Sequence, residues 1–448
     1  MSLRCTLSGL PFLAGFVMPG SASAQVAADL IAPVVEYHAH MLSPVTARMA
    51  AEPLLPAIEL PAALSDLLKK REKAWNDSSA IAQLYTPASV ALNLGNGDLP
   101  SWIRGQPAVA AYMSTLFARP HRITPVAFHI DGSAAYIAGY FTRDVPTGLR
   151  HFGHVLLSLT KGSDGTWRIA SEAPTFPGPL VVEPVTAEQL VAQLDEAGIQ
   201  RAVVLSNAYW FGSAFSSPQN DEYAKVRAEN DWIAGEVAKA PQRLIGFCSF
   251  NPLRNYALEE LERCGKNPLF KGIKLHFGNS GVDLAGKTDH VERLRKVFRT
   301  ANDRRLAIAV HLWTGPEYEQ QGRQYSEIFL NRLLAEATDI PVQIAHMAGG
   351  GRSTDSALLV FATAIAAGDP RTKNLYFDVA TLTAGQTPER LRQDAARMRQ
   401  IGFNRILFGS DLSPPNPPAR QSWATFRALV PLSDHEFRAI AANVVPYR

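Results

Sequence analysis

Two histidines two positions apart, His38 and His40, sit in an apolar run at 34–40, where an extended backbone sends both imidazoles to the same face. Later apolar runs end in side chains of related chemistry: Lys274 and His276, then His311, then His346, and finally Asp411. Neutral imidazoles joined by a carboxylate suit zinc and other borderline divalent cations. A lone histidine at a strand end is more often a hydrogen-bonded structural residue. Recurrence of ligand-type residues at one strand end after another is the signal, because chance placement rarely repeats it.

The elements that carry these residues must bring them together. From about 186 onward, short runs rich in Val, Ile and Leu (201–206, 243–248, 271–276, 306–311, 341–346, 374–379, 405–411) alternate with helical stretches (187–197, 222–239, 291–303, 327–337, 389–400). Near-continuous apolar strands between helices predict a parallel sheet covered on both faces. With the run at 34–40 the strands number eight. Eight β/α units predict an α/β fold of the TIM (β/α)8 barrel type, whose sites lie at the C-terminal strand ends. Alternation places Lys274 with His276, and Leu407 and Gly409 with Asp411. Ala307 and Ala309 share the face of His311 and leave room beside it. Glu36, two residues before His38, is expected on its face, as an extra ligand or as a carboxylate behind the ligands.

Between 61 and 178 the text changes. A helical stretch at 65–85, with Trp75 and Leu84 turned inward, precedes a second helix near 107–117. Strand-like runs follow at 124–130, 134–142, 151–160 and 166–171, separated by Asp131-Gly132, Thr147-Gly148 and Asp164-Gly165. Helices followed by hairpins predict an α+β domain with antiparallel pairing. Proline-rich joints (Pro53, Pro56, Pro61; Pro174, Pro177, Pro179) mark it as an insertion after the first barrel strand. The expected organisation is a leader at 1–24, the first barrel strand within 25–60, the insertion at 61–178 and the rest of the barrel at 179–448.

The leader is read from Arg4, the apolar stretch 5–18 and the exit Ala22-Ser23-Ala24, the layout of a secretory signal peptide. The stretch is shorter than the roughly 20 residues of a membrane span. A mature protein cleaved near Ala24 is expected to be periplasmic or secreted. It would carry Cys248 and Cys264 into a compartment that permits a disulfide, whose formation the sequence leaves open. Lys+Arg 44 against Asp+Glu 41 give a net charge of +3, too balanced to favour nucleic acid or an anionic membrane as partner. No later run is long and apolar enough to cross a bilayer, so the mature product is expected to be soluble; the expected partner is a small-molecule substrate. Homo-oligomerisation through the barrel or the inserted domain is left open.

The set His38-x-His40, His311, Ala345-His346-Met347-Ala348-Gly349-Gly350 and Phe408-Gly409-Ser410-Asp411 resembles the amidohydrolase superfamily. It is most similar to the branch that includes aminocarboxymuconate-semialdehyde decarboxylase and its hydrolase relatives. Asp195-Glu196-Ala197-Gly198-Ile199, the segment 246–252 and the run 271–276 also fit. The resemblance implies His38, His40 and His311 as ligands of one divalent metal, zinc by expectation, with Asp411 binding the metal or its water. Asp411 would then carry the proton, and His346 would polarise a carbonyl or orient water. In binuclear relatives a carboxylated lysine on the fourth strand bridges a second metal, a role for which Lys274 has the residue type. With one metal, Lys274 and His276 become substrate contacts. Trp210, with Phe211 and Phe215 after the second barrel strand, lines the substrate pocket or anchors its loop. The turn 349–352 could bind an anion, and the proline loop 414–418 reads as rim architecture.

The insertion resembles the cone-shaped SnoaL-like or nuclear-transport-factor-like fold through Ala74-Trp75-Asn76, Leu84-Tyr85-Thr86-Pro87, Gly105-Gln106-Pro107-Ala108-Val109 and Gly165-Thr166-Trp167-Arg168-Ile169. Ala88 stands where such domains usually carry Asp, which argues against catalysis there. His121, His129, His151 and His154 match no metal spacing and read as exposed or pocket-lining. The function expected first is an exported metal-dependent hydrolase acting on a C–N or C–O bond of a small amide, ester or lactone. The alternatives are a non-oxidative decarboxylase of an aromatic or unsaturated acid, and a ligand-binding or assembly protein acting through the cone domain.

Overall fold

The computed structural model describes residues 31–93, 101–116, 120–145, 148–175, 181–216, 220–313, 318–349, 355–413 and 416–447. The leader at 1–24, Thr147, Pro177, Pro179, residues 350–352 of the glycine turn and residues 414–415 of the proline loop lie outside the described residues.

Strands in chain order are β1 (Val35–Ala39), β2 (Tyr85–Leu92), β3 (Trp102–Arg104), β4 (Arg122–Asp131), β5 (Ala134–Val145), β6 (Gly148–Lys161), β7 (Trp167–Thr175), β8 (Arg201–Leu205), β9 (Leu244–Ser249), β10 (Phe270–His276), β11 (Ala307–His311), β12 (Val342–Ile344), β13 (Leu375–Asp378) and β14 (Ile406–Leu407). The chain divides into two compact units, one of residues 1–47 with 183–448, the other Arg48–Val182.

The first unit holds an eight-stranded parallel sheet in the order β1-β8-β9-β10-β11-β12-β13-β14. Past β14 the chain returns to β1: Tyr37 N–H donates to Phe408 O at 2.9 Å and His40 N–H to Leu412 O at 3.0 Å. These bonds close the sheet into a TIM barrel, so no strand edge is left unpaired there. Alternate residues of one strand serve two cores. Ala202 and Val204 pack with Leu190, Leu194 and Val226 of the helical layer. Val203 and Leu205 join Val35, Tyr37, Phe247, Ala307, Ala309 and Leu407 in a separate apolar cluster inside the cylinder.

Local sequence places the helices. Thr186 and Gln189 form a capping box at the start of Ala187–Ala197, and Gly198 ends it at φ 70°. Thr387 caps Pro388–Ile401, with proline at its first position. The helical stretch expected at 327–337 divides instead into Tyr318–Ile328, a π turn at Phe329–Leu333 and a 3-10 turn at Leu334–Glu336.

The second unit has a six-stranded sheet in the order β3-β2-β7-β6-β5-β4. Its pairs are antiparallel except β2 with β7, which run parallel. Helices Ala62–Lys73, Ser78–Ala82 and Gln106–Thr115 cover a core that includes Leu64, Tyr85, Val109, Ile137, Phe141, Leu157 and Ile169. The helical stretch expected at 65–85 is broken because Asp77 accepts from Ser79 N–H and Ala80 N–H and starts a new helix. Tyr85 opens a strand rather than closing that helix, while Leu84 is buried and Trp75 only half-buried. The unit reaches beyond 61–178 because Leu55 N–H donates to Tyr140 OH and Ile58 N–H to Pro125 O.

Cys248 on β9 and Cys264 in Ala257–Gly265 form a disulfide across a sequence separation of 16. Replacing both by Ala should lower stability by about 3 kcal/mol, the cost expected for opening so short a loop. Thermal denaturation of the full chain checks this, and an unshifted barrel transition would show the bridge contributes nothing.

Candidate metal centre

The strand order carries His38, His40, Lys274, His276, His311, His346 and Asp411 to the C-terminal ends of neighbouring strands and the loops that follow. Each imidazole is anchored differently, and the anchoring decides what its second nitrogen can do. His38 Nδ1–H donates to Asp378 Oδ2 at 3.0 Å. His40 Nδ1–H donates to the carbonyl of Leu205 at 2.7 Å. His346 Nδ1–H donates to the carbonyl of Ala380 at 2.9 Å, with Thr381 Oγ1 at 3.2 Å. In all three rings Nε2 therefore carries a lone pair rather than a proton, the arrangement that orients histidine ligands, and in His38 that lone pair faces Lys274 Nζ at 3.3 Å.

Those nitrogens face Asp411. Its Oδ1 lies 3.6 Å from His38 Nε2 and 3.3 Å from His40 Nε2. One ligand-type atom from each of His38, His346 and Asp411 falls within 4.8 Å of the others. The Asp411 side chain keeps 23% of its surface exposed against 2% for His38, so the centre is open on the Asp411 side.

His276 and His311 form a second pair. Their rings stack with centroids 3.9 Å apart, and His311 lies 4.9 Å from the His346 ring. His276 Nδ1 accepts from Asn279 N–H at 3.0 Å, so a neutral His276 carries its proton on Nε2 and presents a donor rather than a ligand. His311 Nε2 is buried with no hydrogen-bond partner. His346, expected to polarise substrate, falls in the donor group with His38 and Asp411, while His40 and His311, both expected to ligate, lie outside that group, His311 with its ring 4.9 Å from that of His346. Lys274 is buried, with Nζ 3.3 Å from His38 Nε2. Trp210 is half-buried after β8. Its neighbour Tyr209, not anticipated from sequence, brings its ring to 5.1 Å from His276.

Glu36 does not join the donors. Its Oε1 accepts from the backbone N–H of His38 at 2.8 Å and of Ser410 at 2.9 Å, while Oε2 is buried without a partner. The β1–β8 register shifts between Glu36 and Ala39, and that irregularity breaks the simple alternation on which a shared face was expected.

Burial sets most of the protonation states. It pushes the His38 imidazole down to about 4, helped by the Lys274 charge, and Lys274 itself down to about 8. It holds His276 and His311 well below the ordinary histidine value. It raises the Glu36 carboxyl to about 7. Burial also works against ionised Asp411 and Asp378, yet the neighbouring imidazoles and their hydrogen bonds outweigh it, and both stay well below the carboxylate range. Neutral imidazoles around an ionised carboxylate are a donor set that fits a divalent cation. The Lys274 ammonium beside His38 Nε2 must move or lose its proton when a cation takes that lone pair.

Asp378 was not singled out from sequence. It accepts His38 Nδ1–H, Gln343 Nε2–H at 2.7 Å, His346 N–H at 2.9 Å and Ala380 N–H at 3.1 Å. A carboxylate ending the seventh barrel strand is the same signal that marked Asp411. Nothing in the sequence marked Gln343.

The loops around the centre are strained. Among the described residues, non-glycine positive φ occurs at His346 (54°), Met347 (49°), Ala348 (62°), Thr381 (52°) and Asp411 (57°), and otherwise only at Arg305. Such backbone costs about 1–3 kcal/mol per residue and concentrates where geometry is functional. Gly409 is required by close approach: a Cβ there would lie 2.7 Å from His38 Cβ.

An amidohydrolase family model matches residues 180–443, and the chain belongs to that family. No curated protein matches it. Among solved structures, the chain is similar to 2,6-dihydroxybenzoate decarboxylase from Rhizobium, with 16% identity, 56% of this chain and 84% of that one covered, and a TM-score of 0.41. It is also similar to 5-carboxyvanillate decarboxylase from Sphingomonas paucimobilis, with 15% identity, 56% and 79% covered, and a TM-score of 0.40. A protein of unknown function from Mycobacterium tuberculosis matches 25% of this chain over 69% of its own, at 23% identity and a TM-score of 0.21.

Removing a central ligand should empty the centre, whereas removing a flanking ring should not. His346→Ala is expected to lose most of its metal on dialysis and His311→Ala to retain it, as read by elemental analysis; the reverse pattern would restore His311 as the ligand.

Proposed function

We propose that the barrel is a metal-dependent hydrolase that cleaves a C–N or C–O bond in a small amide, ester or lactone. The observation that carries this reading is the common anchoring of His38, His40 and His346, each tied outward through Nδ1 with Nε2 turned toward ionised Asp411. These four residues would hold one divalent cation, zinc in our reading. When bound, such a cation lowers the pKa of water toward about 7 and polarises a substrate oxygen. Asp411, ionised and the more open group, takes the proton from the attacking water and passes it to the leaving group. His311 Nε2, buried and unpartnered, hydrogen-bonds the substrate carbonyl, and His276 Nε2–H supplies a neutral donor.

A second reading, non-oxidative decarboxylation of an aromatic or unsaturated acid, is favoured by Lys274 itself. Among the described residues no carboxylate lies within ion-pair distance of this buried amine, which leaves it to meet an acid group of the substrate. We propose further that the mature protein is exported, a reading the Cys248–Cys264 bridge supports.

Asp411→Asn should cost at least about 100-fold in kcat, the lower end of general acid–base contributions, while metal content is largely kept; a fully active variant would remove Asp411 as proton carrier. Metal-reconstituted protein assayed against amides, esters and lactones, and in parallel for CO2 release from aromatic acids, separates the two reactions. Alkylation of unreduced mature protein is expected to label no cysteine, and labelling of Cys248 or Cys264 would count against export.

A further inference from the structure

The centre is also braced from inside the cylinder. Gln343 lies on β12 between Val342 and Ile344, which pack with the helical layer, and its own side chain is buried. Its Nε2 donates to Asp378 Oδ2 at 2.7 Å and to the Tyr37 carbonyl at 3.2 Å, and its Oε1 accepts from Tyr447 OH at 3.5 Å. Tyr447 belongs to a segment stitched to the barrel wall. Val445 N–H donates to Tyr37 OH at 2.7 Å, and Asn443 Nδ2 donates to the carbonyls of Phe403 and Ile406 at 2.7 and 2.6 Å. The Tyr447 ring meets Phe247 edge-on at 5.2 Å and Tyr37 at 6.2 Å, within the interior apolar cluster.

These contacts leave the Gln343 amide one sensible orientation. Turned over, its carbonyl would face both the Asp378 carboxylate and the Tyr37 carbonyl, two acceptors with no proton between them. Held as it is, it gives Asp378 Oδ2 a second donor beside His38 Nδ1–H. Without that donor Oδ2 is held by His38 alone and can swing about the Oδ1 bonds to the His346 and Ala380 N–H groups, so His38 Nδ1–H loses a fixed acceptor.

We propose that Gln343, backed by Tyr447, is a positioning residue that fixes the tautomer and aim of His38 from within the barrel. The proposal rests on the reading of His38 as a ligand, and its test must separate the two.

The test uses the full chain with Gln343→Met, which keeps the volume but not the hydrogen bonds, and Tyr447→Phe. In metal-free protein labelled with 15N-histidine, wild-type His38 should show a single tautomer protonated at Nδ1. Gln343→Met should give a mixture, and Tyr447→Phe a smaller change in the same direction. Zinc affinity measured by chelator competition should fall about 10–100-fold in Gln343→Met, the usual effect of losing a partner behind a ligand. Unchanged tautomer and affinity in a folded Gln343→Met would overturn the proposal. If that variant does not fold, Tyr447→Phe decides by the same two readouts. If wild type binds no zinc while the tautomer still shifts, the metal reading fails and the positioning role stands.

Discussion

A carboxylate that cannot reach water must find its donors inside the protein, and Asp378 finds them on separate pieces of chain. His38 reaches it from β1, Gln343 from β12, and the backbone N–H groups of His346 and Ala380 from the turns after β12 and β13. An isolated buried charge costs several kcal/mol, so these donors are bound to one another through the group they share. The His38 imidazole cannot be re-aimed, nor the His346 backbone shifted, without leaving that charge under-satisfied. The centre is therefore ordered by its supports before any cation arrives.

The barrel was legible because its strands are read twice by the packing. Both faces are buried, which turns each strand into a near-continuous apolar run that stands out from the helices between. The chemistry at its rim was legible for the same reason: His276, His311 and Asp411 interrupt or end apolar text. What failed to show were relations rather than residue types. Asp378 ends a strand as visibly as Asp411, but its role exists only once Gln343 and the His346 turn are beside it. Glu36 was assigned a face by strict alternation, and the register shift in β1 undid that. How the His346 ring is aimed depends on the anchoring of its Nδ1, a property set by Ala380 O and Thr381 Oγ1 on another strand's loop. In the inserted unit, Tyr85 begins a strand because that strand pairs with β7, a partner distant in sequence that local text cannot announce.

Strain and packing are distributed unequally in the first unit. His346, Met347 and Ala348 make three successive left-handed residues, and all three are buried. Such a turn is unfavourable for residues with a Cβ. It is held by Asp378 against His346 N–H and by the surrounding core, so the barrel's packing maintains an otherwise unfavourable backbone at the point where His346 must face the centre. Loops of this kind gain little from added flexibility, because relaxing them would swing the imidazole away.

Where the barrel chain departs after β1 and where it resumes, Leu42 and Val185 exchange both backbone hydrogen bonds, at 3.1 and 2.9 Å. That small ladder joins the two ends of the excursion like the stem of a hairpin. Beyond Ser43 and Thr46, whose hydroxyls donate to Glu229 of the barrel unit, the rest of the excursion is to the barrel equivalent to a tight turn, whatever its length. Cargo of a different fold could be grafted into the same stem, or none at all, without altering the cylinder's connectivity, which makes this junction a natural port for modular recombination.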